Sequence, residues 1–380
     1  MKVLRNMMLC AALLAATSLM AQENVYVQPT PQEVYTPAYR NDGANKKVKN
    51  VILMVGDGMG LTQMTSALHA NGGDLTIARL RHIGLVRTHS HNRYITDSAA
   101  AGTAYATGTK TDNGKLGVDS QDKSLQNMTE ILSAAGYATG IISTDKIVGA
   151  TPAAFYAHQT HRSKNAEILS DLIRTQALFV AGSGVELFEN PKVGGGKLDS
   201  LRANGFGVIH NFKELPDVKE DKIALIANKT DAEWVQKGRD ADYLRYVTEF
   251  AIDFLDRKDD KGFFLMVEAG EIDHAAHAGN TEGVVRETLD FDKAVAEALR
   301  FADENGETLV IVLADHETGG MALGDGSVEE GKVQGRFTTG GHSALLVPVY
   351  AYGPHAGDFC GVIDNTEVFA KILSALKVKK

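Results

Sequence analysis

The chain has 380 residues, 44% of them hydrophobic and 23% charged, the balance of a folded globular protein rather than a disordered or fibrous one. Its 39 Lys and Arg against 48 Asp and Glu leave a formal net charge of −9, which argues against the clustered basic face that a nucleic-acid backbone requires. The same acidity suits a protein that gathers divalent cations in carboxylate sites.

The first predicted element is a leader over residues 1–21. Lys2 and Arg5 precede an almost unbroken apolar run from Met7 to Met20, the pattern of a secretory signal. Cleavage is expected between Ala21 and Gln22, although Leu19 stands where a small residue is favoured. The run is short for a membrane span, and Cys10 sits too early in it for a lipid anchor. The expected destination is the periplasm or the external medium. Loss of the leader leaves Cys360 as the single cysteine, so no intramolecular disulfide is expected. No later stretch is apolar and long enough to span a membrane.

Residues 22–47 are polar, hold three prolines and read as an extended arm or linker. Residues 48–380 read as one domain. Short apolar runs, predicted as strands, are Val51–Val55, Ala138–Ser143, Leu178–Ala181, Ile223–Ala227, Phe263–Val267, Thr308–Ala314 and Leu345–Ala351. Between them, Lys123–Ala135, Asn165–Thr175, Ala241–Asp256 and Glu282–Ala302 have helical character. This alternation predicts an α/β fold, a central mostly parallel sheet with helices on both faces. There is no internal repeat, and the cluster Gly194–Gly196 marks a surface loop.

Several of these runs lead directly to a residue able to bind a metal. Val51–Val55 leads to Asp57, Ala138–Ser143 toward Thr151, Phe263–Val267 to Glu268, and Thr308–Ala314 to Asp315 and His316. Open α/β sheets build their sites at the carboxyl ends of the strands, so these side chains are expected to converge on one sheet edge.

Taken singly, each motif has a plainer reading. Asp57 in Val-Gly-Asp-Gly-Met-Gly is equally a turn residue, and its flanking glycines would let the backbone approach an ion or phosphate. Asp97-Ser98, ahead of a run of small residues, reads as a helix N-cap. A serine there also lies beside free N–H groups and the positive end of the helix dipole, which favour a phosphate dianion. No Gly-x-Ser-x-Gly turn surrounds Ser98, so a metal is its expected activator. Asp273 and His277 stand four apart and share a face if their segment is helical, a pair suited to zinc. Asp315-His316 offers a second such pair or a strand-end turn, and His342 in Thr-Gly-Gly-His-Ser is a ligand or a loop histidine.

The order of these segments, from Val48 to Pro354, resembles the alkaline phosphatase family. Val51–Gly60 is similar to its first metal segment, and Thr96–Ala100 with Thr107–Thr111 to its nucleophile region. Glu268–His277, Ala314–His316 and Thr339–Ser343 resemble its remaining metal segments, and Tyr352-Gly353-Pro354-His355 also follows its pattern. The resemblance implies a phosphate monoester hydrolase with Ser98 as nucleophile and a phosphoserine intermediate. It implies one zinc held by Asp57, Asp315 and His316, and a second held by Asp273, His277 and His342. Magnesium would be held by Asp57, Thr151 and Glu268, an oxygen-only set that suits a hard cation. Arg162 would grip two phosphate oxygens through its planar fork. Family members are often homodimers, and the arm would be free to embrace a partner.

The chain departs from the family pattern at three places. Gly149 stands where Asp or His is usual near the third metal. His274 follows Asp273, as in the animal-type enzymes. Only Gly320–Thr338 separates the last two metal segments, so the crown insertion would be short. Other hydrolases of the superfamily fit less well, since Ser98-Ala-Ala departs from the sulfatase C/S-x-P-x-R pattern and many diesterases use threonine. A non-catalytic exported metal- or phosphate-binding protein would have no use for the full set of nucleophile, arginine and ligands.

Overall fold

The computed structural model describes residues 24–193, 195–228, 233–258 and 261–379; the expected leader 1–21 and Gly194 of the glycine cluster lie outside the described residues. Fifteen strands are described: β1 (Val25–Val27), β2 (Asn50–Gly56), β3 (His82–Arg87), β4 (Ala138–Lys146), β5 (Phe179–Ser183), β6 (Phe206–Ile209), β7 (Lys222–Ile226), β8 (Phe263–Ala269), β9 (Thr308–Leu313), β10 (Glu317–Thr318), β11 (Met321–Ser327), β12 (Lys332–Phe337), β13 (His342–Ser343), β14 (Val347–Tyr352) and β15 (Gly361–Asp364).

Ten of them form the central sheet in the order β15-β3-β14-β9-β2-β8-β4-β5-β7-β6. All run in one direction except β14, which pairs antiparallel with both β3 and β9. The amino end of β14 therefore lies at the same edge as the carboxyl ends of the others. The inner strands β2, β8 and β9 are buried along their whole length, which is why they read as continuous apolar runs rather than alternating ones. Helices pack around this sheet; the longest, Thr281–Asn305, lies against Tyr243–Asp256 and Leu61–Ala70.

Two predicted elements need correction. Lys123–Ala135 is helical only over Met128–Ala134, because Asn127 takes the N-cap. Its side chain accepts from Glu130 N while Glu130 reaches back to Asn127 N, and this reciprocal box fixes the start. The last predicted strand begins two residues late, at Val347, leaving Leu345 and Leu346 exposed ahead of it.

The arm is fastened to its own body. β1 pairs with β12, Gln32 N donates to Asn71 at 2.6 Å, and the Tyr35 hydroxyl donates to Asp303 at 2.6 Å. The short stretch Gly320–Thr338 folds as the β11–β12 hairpin, and β1 makes it a three-stranded sheet. Among the described residues, no helix is long and apolar enough to cross a membrane.

Candidate active site and metal centre

The carboxyl edge of the sheet gathers Ser98 and the eight expected metal ligands. Asp57 follows β2, Glu268 lies within β8, and Asp315 and His316 follow β9. Thr151 sits on the Ala150–Ala153 turn of helix after β4, and Asp273 and His277 on the Glu271–His277 helix after β8. His342 arrives on β13, whose pairing sets it opposite Thr318 of β10, just ahead of the reversed strand β14.

Ser98 opens the Ser98–Thr107 helix, and Asp97 is its N-cap, accepting from Ala100 N at 3.0 Å. The capping reading thus holds, and it places Ser98 at the first turn of the helix. The small residues behind Ser98 serve close packing: all ten helix residues are buried, and a Cβ on Gly102 would lie 3.3 Å from the Thr151 Cα. Gly58 has φ +69°, and a Cβ there would meet Thr318 Oγ1 at 2.8 Å and Asp273 Oδ1 at 2.9 Å, so the glycine is required on both counts.

Ser98 Oγ lies 3.1 Å from His316 Nε2. That nitrogen is 3.1 Å from Asp315 Oδ2 and 3.5 Å from Asp57 Oδ1. The His316 and His342 rings stack at 3.6 Å. His342 Nε2 is 3.2 Å from His277 Nε2 and 3.6 Å from Asp273 Oδ1, and His277 Nε2 is 3.2 Å from Asp273 Oδ2. Ligand atoms of Asp273, His277 and His342 lie within 4.8 Å of one another, and so do those of Asp57, Asp273 and His316. Asp273 therefore stands between the two expected zinc sets. Thr151 Oγ1 donates to Asp57 Oδ2 at 3.3 Å. Arg162, on the turn before the Asn165–Arg174 helix, reaches Asp97 Oδ2 at 3.6 Å beside Ser98.

The outer hydrogen bonds fix the imidazoles. His277 Nδ1 donates to the Gly340 carbonyl at 2.7 Å and His342 Nδ1 to the Thr96 carbonyl at 2.9 Å. The Thr318 hydroxyl gives its proton to Asp273, so toward His316 Nδ1, at 3.2 Å, it acts as acceptor. Each ring is thereby held with Nε2 turned inward, the orientation a metal ligand needs. Thr318 was not among the residues singled out from sequence, nor was Ser143, whose hydroxyl donates to Glu268. Ser143 and Glu268 are direct partners in the β4–β8 register, a pairing that the runs themselves do not state.

The charge balance is severe. Burial, then the neighbouring carboxylates Asp315 and Asp273, pushes Asp57 well above the usual carboxylate range. Burial raises Asp315 to about 7, with Asp273 adding to it, and burial with the Asp145 charge raises Glu268 to about 8. Asp273 is held low: burial opposes this, but the bond from His277 and the surrounding imidazoles prevail. The His277 imidazole is raised, chiefly by that same bond. His316 is driven well below its ordinary value, first by burial and then by the neighbouring His342. Asp57 Oδ1 and Asp315 Oδ2 are buried with no hydrogen-bond partner. Unpaired carboxylate oxygens of this kind are costly unless a cation faces them.

Residues 48–183 and 192–334 match the sequence profile of the family described as alkaline phosphatase. The chain is 32% identical to the alkaline phosphatase of Escherichia coli (strain K12), over 90% of this chain and 89% of that protein. It resembles the solved alkaline phosphatase from the Antarctic bacterium TAB5 with TM-score 0.81 and 35% identity, covering 88% of this chain and 99% of that one. A TAB5 mutant solved with Mg bound in the M3 site matches with TM-score 0.80 and 36% identity over the same shares. A family profile that covers most of the chain, and relatives about a third identical along nearly its whole length, show that the chain belongs to the alkaline phosphatase family and is a phosphatase enzyme.

Proposed function

We propose that this protein is an exported alkaline phosphatase that hydrolyses small phosphate monoesters through a phosphoserine on Ser98 and releases inorganic phosphate. The observation that carries the reading is the convergence of three fixed Nε2 atoms and two partnerless carboxylate oxygens beside the Ser98 hydroxyl.

The donor sets fit the expected ions. Asp57, Asp315 and His316, and likewise Asp273, His277 and His342, mix imidazole with carboxylate as zinc prefers. Asp57, Thr151 and Glu268 offer oxygen alone, as magnesium prefers. When bound, the zinc ions would lower the pKa of the Ser98 hydroxyl and of water and neutralise charge on the oxygens of phosphoryl transfer. Ser98 Oγ is the attacking atom, held at the mouth of its helix where N–H groups favour an anion. Arg162, half-exposed beside Asp97, is placed to hold two phosphate oxygens while the ester group faces solvent, which predicts broad monoester specificity. Displacement by serine and then by water retains configuration at phosphorus. Export rests on the leader read at residues 1–21, and a homodimer is the family's expected assembly.

Substitution of Ser98 by alanine tests the reading. Expected are unchanged metal content and turnover of p-nitrophenyl phosphate reduced by orders of magnitude, short of zero because the remaining site still positions water. Unchanged turnover would remove Ser98 from the mechanism.

A further inference from the structure

A second cluster of ligand side chains lies behind the site, outside every set assigned so far. Asp145 near the end of β4, and Glu271 and His274 in the Glu271–His277 helix, bring ligand atoms within 4.8 Å of one another. They line a cavity of about 610 Å³ that is also walled by Glu186, Glu189 and Glu233.

The cluster is short of positive charge. The Glu271 side chain is 5% exposed, and its partner is His274, whose Nδ1 lies 2.9 Å from Oε2. Among the described residues, no side chain outside the cluster donates to either carboxylate. The lysine in the cavity wall, Lys146, is engaged with Glu186 at 3.3 Å. One imidazole offsets at most one of the two carboxylates, and that excess of negative charge at the cavity wall is what a cation would offset.

The backbone around Asp145 is shaped to admit its carboxylate. A Cβ on Gly149 would lie 3.0 Å from Asp145 Oδ2, and one on Gly270 would lie 2.8 Å from the Asp145 Cβ. Two glycines thus keep clear the space that Asp145 occupies. Glu271 and His274 are three apart on one helix, so both reach the same point from one turn.

We propose that Asp145, Glu271 and His274 form an additional divalent-cation site, preferring zinc, that opens to this cavity and is separate from the ion sets beside Ser98. One imidazole nitrogen and two carboxylates are a donor set zinc accepts, with solvent completing its coordination from the cavity side. The oxygen-only set at Thr151 differs in kind, so the neighbouring positions select different ions. A Cβ on Gly270 would lie 2.8 Å from the Asp145 Cβ and 3.5 Å from the Glu268 Cδ, so the two positions share a wall.

The test uses the full-length enzyme saturated with zinc and magnesium and then desalted. Crystals measured at the zinc absorption edge are expected to show an anomalous peak among Asp145, Glu271 and His274 in addition to the peaks beside Ser98. Glu271→Gln and Asp145→Asn are expected to lose that peak, keep those beside Ser98 and retain about one zinc fewer per chain. Peaks beside Ser98 with none at the cluster in the wild type would overturn the proposal, and so would equal zinc content in wild type and both variants. Absence of zinc beside Ser98 with a filled cluster would instead sink the two-zinc reading and leave this one standing.

Discussion

Arg239 is fully buried and is bonded to both Glu287 and Asp290 on the Thr281–Asn305 helix. Burial raises Glu287 to about 7 in spite of the arginine beside it, a measure of how little water reaches this triad. Arg239→Met should therefore destabilise the fold by about 3–5 kcal/mol, because it strands two desolvated acids; urea unfolding would show it, and a loss near zero would mean that water enters. His158 gives a pH-dependent counterpart. Its Nε2 bonds Glu130 at 3.0 Å, raising the imidazole above its ordinary value and holding Glu130 below its own against burial. The histidine's contribution is complete below its ordinary pKa near about 6.5 and fades as pH climbs through the raised value, while the glutamate's fades only in acid. Thermal melts should find His158→Gln more damaging at pH 6 than at pH 9. Residues at this scale were unevenly legible from sequence. Asp57, Glu268, Asp315 and His316 announced themselves by standing at strand ends, whereas Thr318 and Ser143 act through hydroxyl contacts that depend on which strands become neighbours.

At the scale of elements, local signals and tertiary pairing decided different boundaries. The Met128–Ala134 helix starts where Asn127 and Glu130 close their box, a signal that was present in the sequence, although the apolar pattern alone extended the element backward. Asn127→Ala should cost about 1 kcal/mol in chemical denaturation, since it removes the side-chain half of that box. Strands β3, β6 and β15 escaped notice for a different reason. β3 alternates buried and partly exposed positions, and β6 and β15 are four residues each at the two ends of the sheet, so none presents the apolar run that marks β2, β8 and β9. The arm looked loose because its prolines and polar residues conceal β1, which becomes a strand only by pairing with β12.

For the whole molecule, the carboxylates at the carboxyl edge set the dependence on bound ions. Ions that bind only the folded chain stabilise it by about 2.7 kcal/mol per site at a hundredfold excess over Kd. Chelator treatment should therefore lower the melting temperature and abolish phosphatase activity together, and added zinc and magnesium should restore both. A melting temperature indifferent to chelator would mean that protons alone satisfy the buried acids. The parallel character of the sheet was legible from the alternation of runs and helices, but the reversal of β14 was not, since a buried antiparallel strand reads like its parallel neighbours.

That reversal governs when the enzyme can first work. His342 reaches the centre because β14 enters the sheet from the edge where the other strands leave it, and Asp57 lies 285 positions earlier in the chain (342 − 57). A chain that ends before this strand would carry Ser98 and every expected ligand, yet lack the strand that seats His342, so the proposed set of Asp273, His277 and His342 would stay incomplete. On that reading, onset of phosphatase activity during refolding is a clock for the seating of β14 and the segment that carries His342.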